Sequence, residues 1–333
     1  MSTMSTFMYN SIFGIDPADD YVVSGLYVVG PDEPLDSPAA RLVRARGWGS
    51  PATAARARRL MAALDGGLAQ AGVDYVVADG SLLGLCRGHD GGWVDWDDDI
   101  DIMIPRADFE RDLSGLRTDL RRRGLVLREV VPNDMYKVYF TGAPRAGDRD
   151  WGFPFVDIFV FDVDPTTRRT SSIAATNGAP GPSLSIDYLF PPRRVVLEST
   201  STSTRSHRRN ATAADVTVDT ADADADVNVD VNDFNNVAAG PLEISIPNRA
   251  GRYLDAQFAG WRRWCVVNGW SHAREAWESA EGLWGVQGRC EDIMRLRGGR
   301  MAPPFVVNGR CPSPSSEQEL IPLSTPTNKW SWW

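Results

Sequence analysis

Lysine is almost missing from this chain: only Lys137 and Lys329 occur, against 33 arginines. The bias accompanies a high Ala and Gly content and reads as genomic composition rather than selection for guanidinium chemistry. The net charge of -9 and a pI near 5.0 leave no excess of positive charge to neutralise phosphates, which excludes a nucleic-acid binder. Histidine is scarce too. His89, His207 and His272 are the three, none paired at i, i+4, so a histidine-based metal centre or triad is not expected. The four cysteines, Cys86, Cys265, Cys290 and Cys311, show no C-x-x-C spacing and are too few for a disulfide framework in a chain of 333 residues. Any metal ligands are therefore expected to be oxygens. Residues 1–40 contain no Lys or Arg, so neither a secretory signal nor an Arg-rich transit peptide is read there. The apolar stretch at residues 21–29 is far too short to span a bilayer. A cytoplasmic protein in a reducing compartment is the default expectation.

What is abundant is carboxylate in one place. Residues 95–101 read D-W-D-D-D-I-D, five Asp in seven positions, a density that repels itself unless a divalent cation offsets it. An acidic surface loop is the ordinary fate of such a run, but the following D-I-D-I-M-I, residues 99–104, alternates as a half-buried strand does. Asp99, Asp101 and Met103 then share one face, and Ile100, Ile102 and Ile104 the other. Residues two apart on a strand lie about 6.5–7 Å apart, so Asp99 and Asp101 can share one cation.

A hydrophobic fraction of 43% over 333 residues suffices for one sizeable core or two small ones. Residues 1–49 read as an irregular arm. Ser50 and Pro51 form an N-cap and first-turn pair, and Leu60, Met61, Leu64 and Leu68 form a stripe ending at Gly72, which predicts a helix over 51–71. A short buried strand over 75–78 leads into D-G-S-L-L-G-L-C-R. Gly80 and Ser81 fall at the start of a helix, where free N–H groups suit a phosphate. Residues 105–123 carry Phe109, Leu113, Leu116 and Leu120 and stop at Gly124, an amphipathic helix. Residues 125–131, 135–140 and 155–161 are three strands. The last, F-V-D-I-F-V-F, holds a single carboxylate, Asp157, which needs a partner to be tolerated there.

Residues 199–240 shift to Ser, Thr, Ala, Asp and Asn; seven Asp against three Arg give -4 with almost no large apolar residue. This acidic insertion is expected to be disordered. Its alternating Asp lack the Gly and Glu of a calcium loop. Leu254, Phe258, Trp261 and Cys265 predict a helical stripe, so residues 241–300 are read as a helical C-terminal part of the same domain as 50–198, and 301–333 as a Pro- and Ser-rich tail.

The segment D-G-S-L-L-G-L-C-R-G-H-D-G-G-W-V-D-W-D-D-D-I-D-I-M-I closely resembles the defining motif of the LicD/fukutin family of phosphotransferases. The likeness continues in F-V-D-I-F-V-F, in Leu189, Phe190 and Pro191, and more faintly in I-P-N-R-A-G-R-Y-L at 246–254. Here Gly88 separates Arg87 from His89, which are usually adjacent in that family. The resemblance implies an α+β fold, a nucleotidyltransferase-like mixed sheet flanked by helices. It also implies a Mg2+- (or Mn2+-) dependent enzyme, a transferase that moves a phospho-alcohol or phospho-polyol, of the phosphocholine or ribitol phosphate type, from a CDP-linked donor to a sugar hydroxyl of a glycan. In that scheme Asp99, Asp101 and Asp157 are the catalytic and metal-binding residues. Asp97 and Asp98 orient them, and Gly80, Ser81, Arg87, Trp96 and Lys137 are candidates for binding substrate. Two alternatives stay open: a nucleotidyltransferase that moves NMP to a hydroxyl or amine, and an inactive relative that binds a glycan or a partner.

Overall fold

In a computed structural model that describes residues 26–87, 89, 92–94, 96–171, 183–197, 241–258 and 260–298, the chain opens on β1 (Tyr27–Val28) and meets two Ser-Pro pairs. Each pair starts a helix. Ser37 accepts the Ala40 N–H at 3.1 Å ahead of α1 (Pro38–Ala45), and Ser50 accepts the Thr53 N–H at 3.1 Å ahead of α2 (Pro51–Gln70). Proline costs nothing there, because its missing N–H belongs to a first turn that has no partner anyway. The expected stripe of Leu60, Met61, Leu64 and Leu68 is fully buried. The expected irregular arm is corrected over 26–49: eight residues of α1 bury Leu42 and Val43, and β1 pairs with a strand near the other end of the chain. An apolar face of two turns is too short to show a period. Residues 1–25, Asp95, the insertion at 199–240 and the tail at 301–333 lie outside the described residues.

The next elements build the central sheet. They are β2 (Val76–Val77), α3 (Asp79–Arg87), β3 (Ile100–Pro105), α4 (Arg106–Glu110), α5 (Leu113–Arg122), β4 (Leu125–Val131), β5 (Met135–Phe140) and β6 (Phe155–Phe161). The last three strands have the bounds their sequences predict. The single helix expected over 105–123 is instead two, because Asp112 leaves helical geometry and caps a new start, accepting the Gly115 N–H at 2.9 Å. Phe109, Leu116 and Leu120 remain buried across the break. The strands order as β2-β3-β6-β5-β4, with β3 and β6 parallel and the other neighbours antiparallel. In the shared register Asp101 lies opposite Asp157, Asp157 opposite Lys137, and Lys137 opposite Arg128. Directly opposed residues project to the same face of a sheet, so a row of two carboxylates and two cations crosses four strands.

The strand β3 was expected to be half-buried, yet Met103 is as enclosed as the isoleucines. Later in the chain come α6 (Ile186–Leu189), the hairpin pair β7 (Arg193–Leu197) and β8 (Leu242–Ile246), and α7 (Ala250–Gln257), and a residue of α7 covers Met103. Tyr253 of α7 reaches Met103 Sδ at 3.5 Å and donates to Asp79 at 2.7 Å. The stripe expected to run helically to Cys265 stops at Gln257. Beyond it lie β9 (Trp264–Asn268), the short pair β10 (Trp270–Ser271) and β11 (Ala276–Trp277), then β12 (Gly285–Arg289) and α8 (Cys290–Arg297). Strands β1, β12 and β9 form a three-stranded sheet, in which Cys265 and Val267 are buried while Trp264 and Val266 are half-buried. A period of two had been hidden inside an apparent period of four. Cys265 is joined to Cys290 by a disulfide. This bond departs from the expectation that the cysteines are too few to be paired. Sequence spacing held no sign of it, because β9 and α8 meet only in the fold.

Candidate functional site

Four carboxylates converge where β3 begins. Ligand atoms of Asp99, Asp101 and Asp157 all lie within 4.8 Å of one another, and so do those of Asp97, Asp99 and His272. Asp101 and Asp157 are brought together by the parallel register of β3 and β6. Ser81 locks that register from the other side, its hydroxyl accepting the Asp101 N–H at 2.9 Å. Glycine at position 80 has a steric reason. A Cβ there would lie 2.1 Å from Asp97 Oδ2, so Gly80 clears the space that the Asp97 carboxylate fills. The turn before it is tight: Asp79 has φ 41°, a left-handed conformation that a non-glycine residue adopts only when its surroundings hold it. The Tyr253 hydroxyl does so here.

The partner Asp157 requires is Lys137, whose Nζ lies 2.8 and 3.0 Å from its two oxygens. Both residues are 3% exposed. The ammonium also lies 3.5 Å from the centroid of the Phe155 ring. A solvated strand lysine is thereby excluded.

Two site residues escaped sequence reasoning altogether. His272, 171 residues beyond Asp101, places Nε2 3.2 Å from Asp99 Oδ2, with Nδ1 3.8 Å from Glu275 Oε1. His272 reaches the carboxylates because the segment after β10 folds back over them. Asp98 holds it there. Its carboxylate accepts the N–H of His272 at 3.1 Å and of Ala273 at 3.2 Å. From the opposite flank the Gly147 N–H donates to the Ala273 carbonyl at 3.0 Å. A lone histidine far from the motif carried no signal; the pattern S-H-A-R-E would have needed the fold to be read.

Electrostatics follows from crowding. Burial first, then the neighbouring Asp99, push Asp97 and Asp101 well above the usual carboxylate range. Asp157 is raised to about 6 by burial, against which Lys137 pulls it down and Asp99 pushes it up. Asp98 also rises to about 6, mainly through burial, while His272 and the backbone N–H groups work against that rise. Burial lowers the affinity of His272 for a proton, but Asp99, Glu275 and Asp98 outweigh it and hold the imidazole near 10. Such a set relieves its own repulsion by retaining protons or by binding a cation. The oxygen donors of Asp99, Asp101 and Asp157 fit Mg2+ or Mn2+.

Two predicted substrate contacts lie elsewhere. The Arg87 guanidinium is buried and bonds the carbonyl oxygens of Trp261, at 3.0 and 2.9 Å, and of Trp264, at 2.8 Å. It ties α3 to the entrance of β9, and burial lowers its pKa to about 9. Trp96 donates from Nε1 to the Val266 carbonyl at 2.8 Å and packs edge-on against His89, which makes it an anchor of the acidic turn.

Comparison with known proteins bears on the same segment. Residues 72–203 match the family model for LicD/FKTN/FKRP, nucleotidyltransferase domain. No curated protein matches the chain. Among solved structures, ANT(2")-Ia in complex with adenylyl-2"-tobramycin is similar at 15% identity and a TM-score of 0.23, over 32% of this chain and 51% of that one. The likeness thus spans about half the length of that structure. The Gly-Ser turn, the Asp-rich turn and both carboxylate strands all lie inside the residues that match the LicD/FKTN/FKRP nucleotidyltransferase domain.

Proposed function

We propose that this protein is a Mg2+- or Mn2+-dependent phosphotransferase that moves a phospho-alcohol or phospho-polyol from a CDP-linked donor to a sugar hydroxyl of a glycan or glycoconjugate. The observation that carries this reading is the register that sets Asp101 opposite Asp157, with Asp99 two residues before. A cation bound there would offset the charge that develops on the transferring phosphoryl group. Asp99, Asp101 and Asp157 are its ligands in this reading. The acceptor oxygen attacks the phosphorus on the alcohol side of the pyrophosphate, the bond to the CMP oxygen breaks, and CMP departs with the electron pair. Asp157 takes the proton of the attacking hydroxyl. Lys137 already neutralises that carboxylate, so its contribution is to position Asp157; contact with a donor phosphate would require it to change partners. Gly80 and Ser81 offer first-turn N–H groups of α3 to the donor phosphate, while the Ser81 hydroxyl stays with Asp101. Trp96 and Arg87 support the site from behind.

The description of the matched domain as a nucleotidyltransferase favours a second reading, in which the acceptor attacks the nucleotide-side phosphorus and NMP is transferred. One experiment separates them. The protein is screened by thermal shift with CDP-choline, CDP-ribitol, CDP-glycerol and nucleoside triphosphates in Mg2+, and the products of the stabilising donor are weighed by mass spectrometry. A native-state ligand raises stability with its occupancy. Release of CMP with the phospho-alcohol on the acceptor is expected; a product that retains cytidine supports NMP transfer instead. Failure to bind any donor or divalent cation would make the domain a binding module.

A further inference from the structure

The carboxylates of this site outnumber its cations. Among the described residues, Asp79, Asp97, Asp98, Asp99, Asp101, Asp157 and Glu275 gather around the two cations Lys137 and His272. The ligand atoms also fall into two sets rather than one, sharing Asp99: the all-oxygen set with Asp101 and Asp157, and a mixed set with Asp97 and His272. The mixed set has an independent mark. His272 Nδ1 and Glu275 Oε1 are both enclosed without a hydrogen-bond partner, 3.8 Å apart, and the Glu275 side chain is only 9% exposed. A histidine that binds a metal through one nitrogen regularly presents the other to a carboxylate, which fixes the ring and strengthens the ligand. Here Nε2 points at Asp99 and Nδ1 at Glu275. Every element that would aim the ring is in place: Asp98 holds its backbone, Phe155 meets it edge-on at 5.6 Å, and Gly80 leaves room for Asp97.

We propose that Asp97, Asp99 and His272 form a second cation site, selective for a transition metal such as Mn2+ or Zn2+ over Mg2+, with Glu275 orienting the imidazole. Imidazole nitrogen suits first-row transition metals, whereas carboxylate and water suit Mg2+ equally well. The site therefore sorts the two ions by its two ends. Of the three ligands only His272, with its partner Glu275, comes from outside the matched residues 72–203, so the selectivity belongs to the segment after β10. The inference rests on Asp99 being a metal ligand, as proposed above, but not on any donor or on turnover.

The test uses the whole chain and Mn2+ alone, with bound ions counted by loss of the free-ion EPR signal. Two equivalents bind to the wild type and one to His272→Ala. Pulsed EPR of the wild-type complex carries nitrogen modulation from an imidazole, which disappears in His272→Ala and persists in Asp157→Asn. Glu275→Gln keeps the ring and weakens the second equivalent by about tenfold or more, the scale of losing an outer partner. A wild-type Mn2+ complex without nitrogen modulation, or a His272→Ala variant that keeps both equivalents, would overturn the proposal. Should His272→Ala fail to fold, the wild-type nitrogen signal decides. Nitrogen-coupled Mn2+ in a protein that releases no CMP from CDP-alcohols would leave this site standing and sink the phosphotransferase reading; the opposite pair of results would do the reverse.

Discussion

A carboxylate on a strand otherwise made of Phe, Val and Ile is expensive to keep charged, and at Asp157 the compensation is a buried lysine from the neighbouring strand. That partner changes what a substitution there does. With no partner, an amide would be easier to bury than the carboxylate and Asp157→Asn would stabilise the fold. With Lys137 present, the same change strands a buried ammonium whose nearest remaining carboxylate is Glu275 at 3.8 Å. Breaking a buried pair costs about 3–5 kcal/mol, and relief of repulsion from Asp99 and Asp101 returns part of it. Asp157→Asn should therefore lower metal-free stability by roughly 2 kcal/mol, and adding Lys137→Met should restore most of the loss. Turnover should fall by about 10²-fold or more, the scale of losing a general base, together with Mg2+ affinity. Denaturant melts of the single and double variants measure the first claim; unchanged metal affinity in Asp157→Asn would show that the carboxylate lies outside the site.

At the scale of elements, the hairpin of β7 and β8 shows how the chain accommodates its acidic insertion. Leu197 and Leu242 are register partners, so the chain leaves the fold and returns to it at neighbouring points. Deleting residues 201–238 leaves six residues between them, an ordinary hairpin loop, and closing long loops costs only slowly more than closing short ones. The melting temperature and donor binding should stay within error of the full chain, and a loss of soluble protein would show that the segment is structural. The elements that sequence made legible are those whose period fits within one segment: the helix after Ser50, three strands of the central sheet, and the alternation that aims Asp99 and Asp101. The site was legible to the same depth, through the Asp-rich turn and the lone Asp157. What stayed hidden was non-local. Asp112 restarts a helix that the apolar stripe carries straight through, Arg87 looks like a surface arginine until β9 supplies carbonyls, and His272 reaches Asp99 only because Asp98 binds its backbone.

On the scale of the whole molecule, the C-terminal residues support the carboxylate site from two sides. Tyr253 braces the strained Asp79, and the sheet of β1, β12 and β9 leads into the segment that carries His272 and Glu275. The Cys265–Cys290 disulfide closes this unit across 25 residues. Cross-linking over that separation removes enough freedom from the unfolded chain to stabilise the fold by about 3 kcal/mol in the chain-entropy model. Replacing both cysteines should therefore shift the denaturation midpoint downward, and a reductant should lower it too, through this bond and that of Cys86, which is also disulfide-bonded. Buried serine hydroxyls in place of sulfur would add to the loss, so an alanine pair at Cys265 and Cys290 gives the cleaner value. Neither sulfur is among the grouped ligand atoms, so Mn2+ affinity measured well below the midpoint should hold for the double variant, and stability alone should suffer. A midpoint insensitive to reductant would mean that the two cysteines do not carry this bond in solution. A loss of Mn2+ affinity in the still-folded double variant would mean that the disulfide also fixes the position of His272.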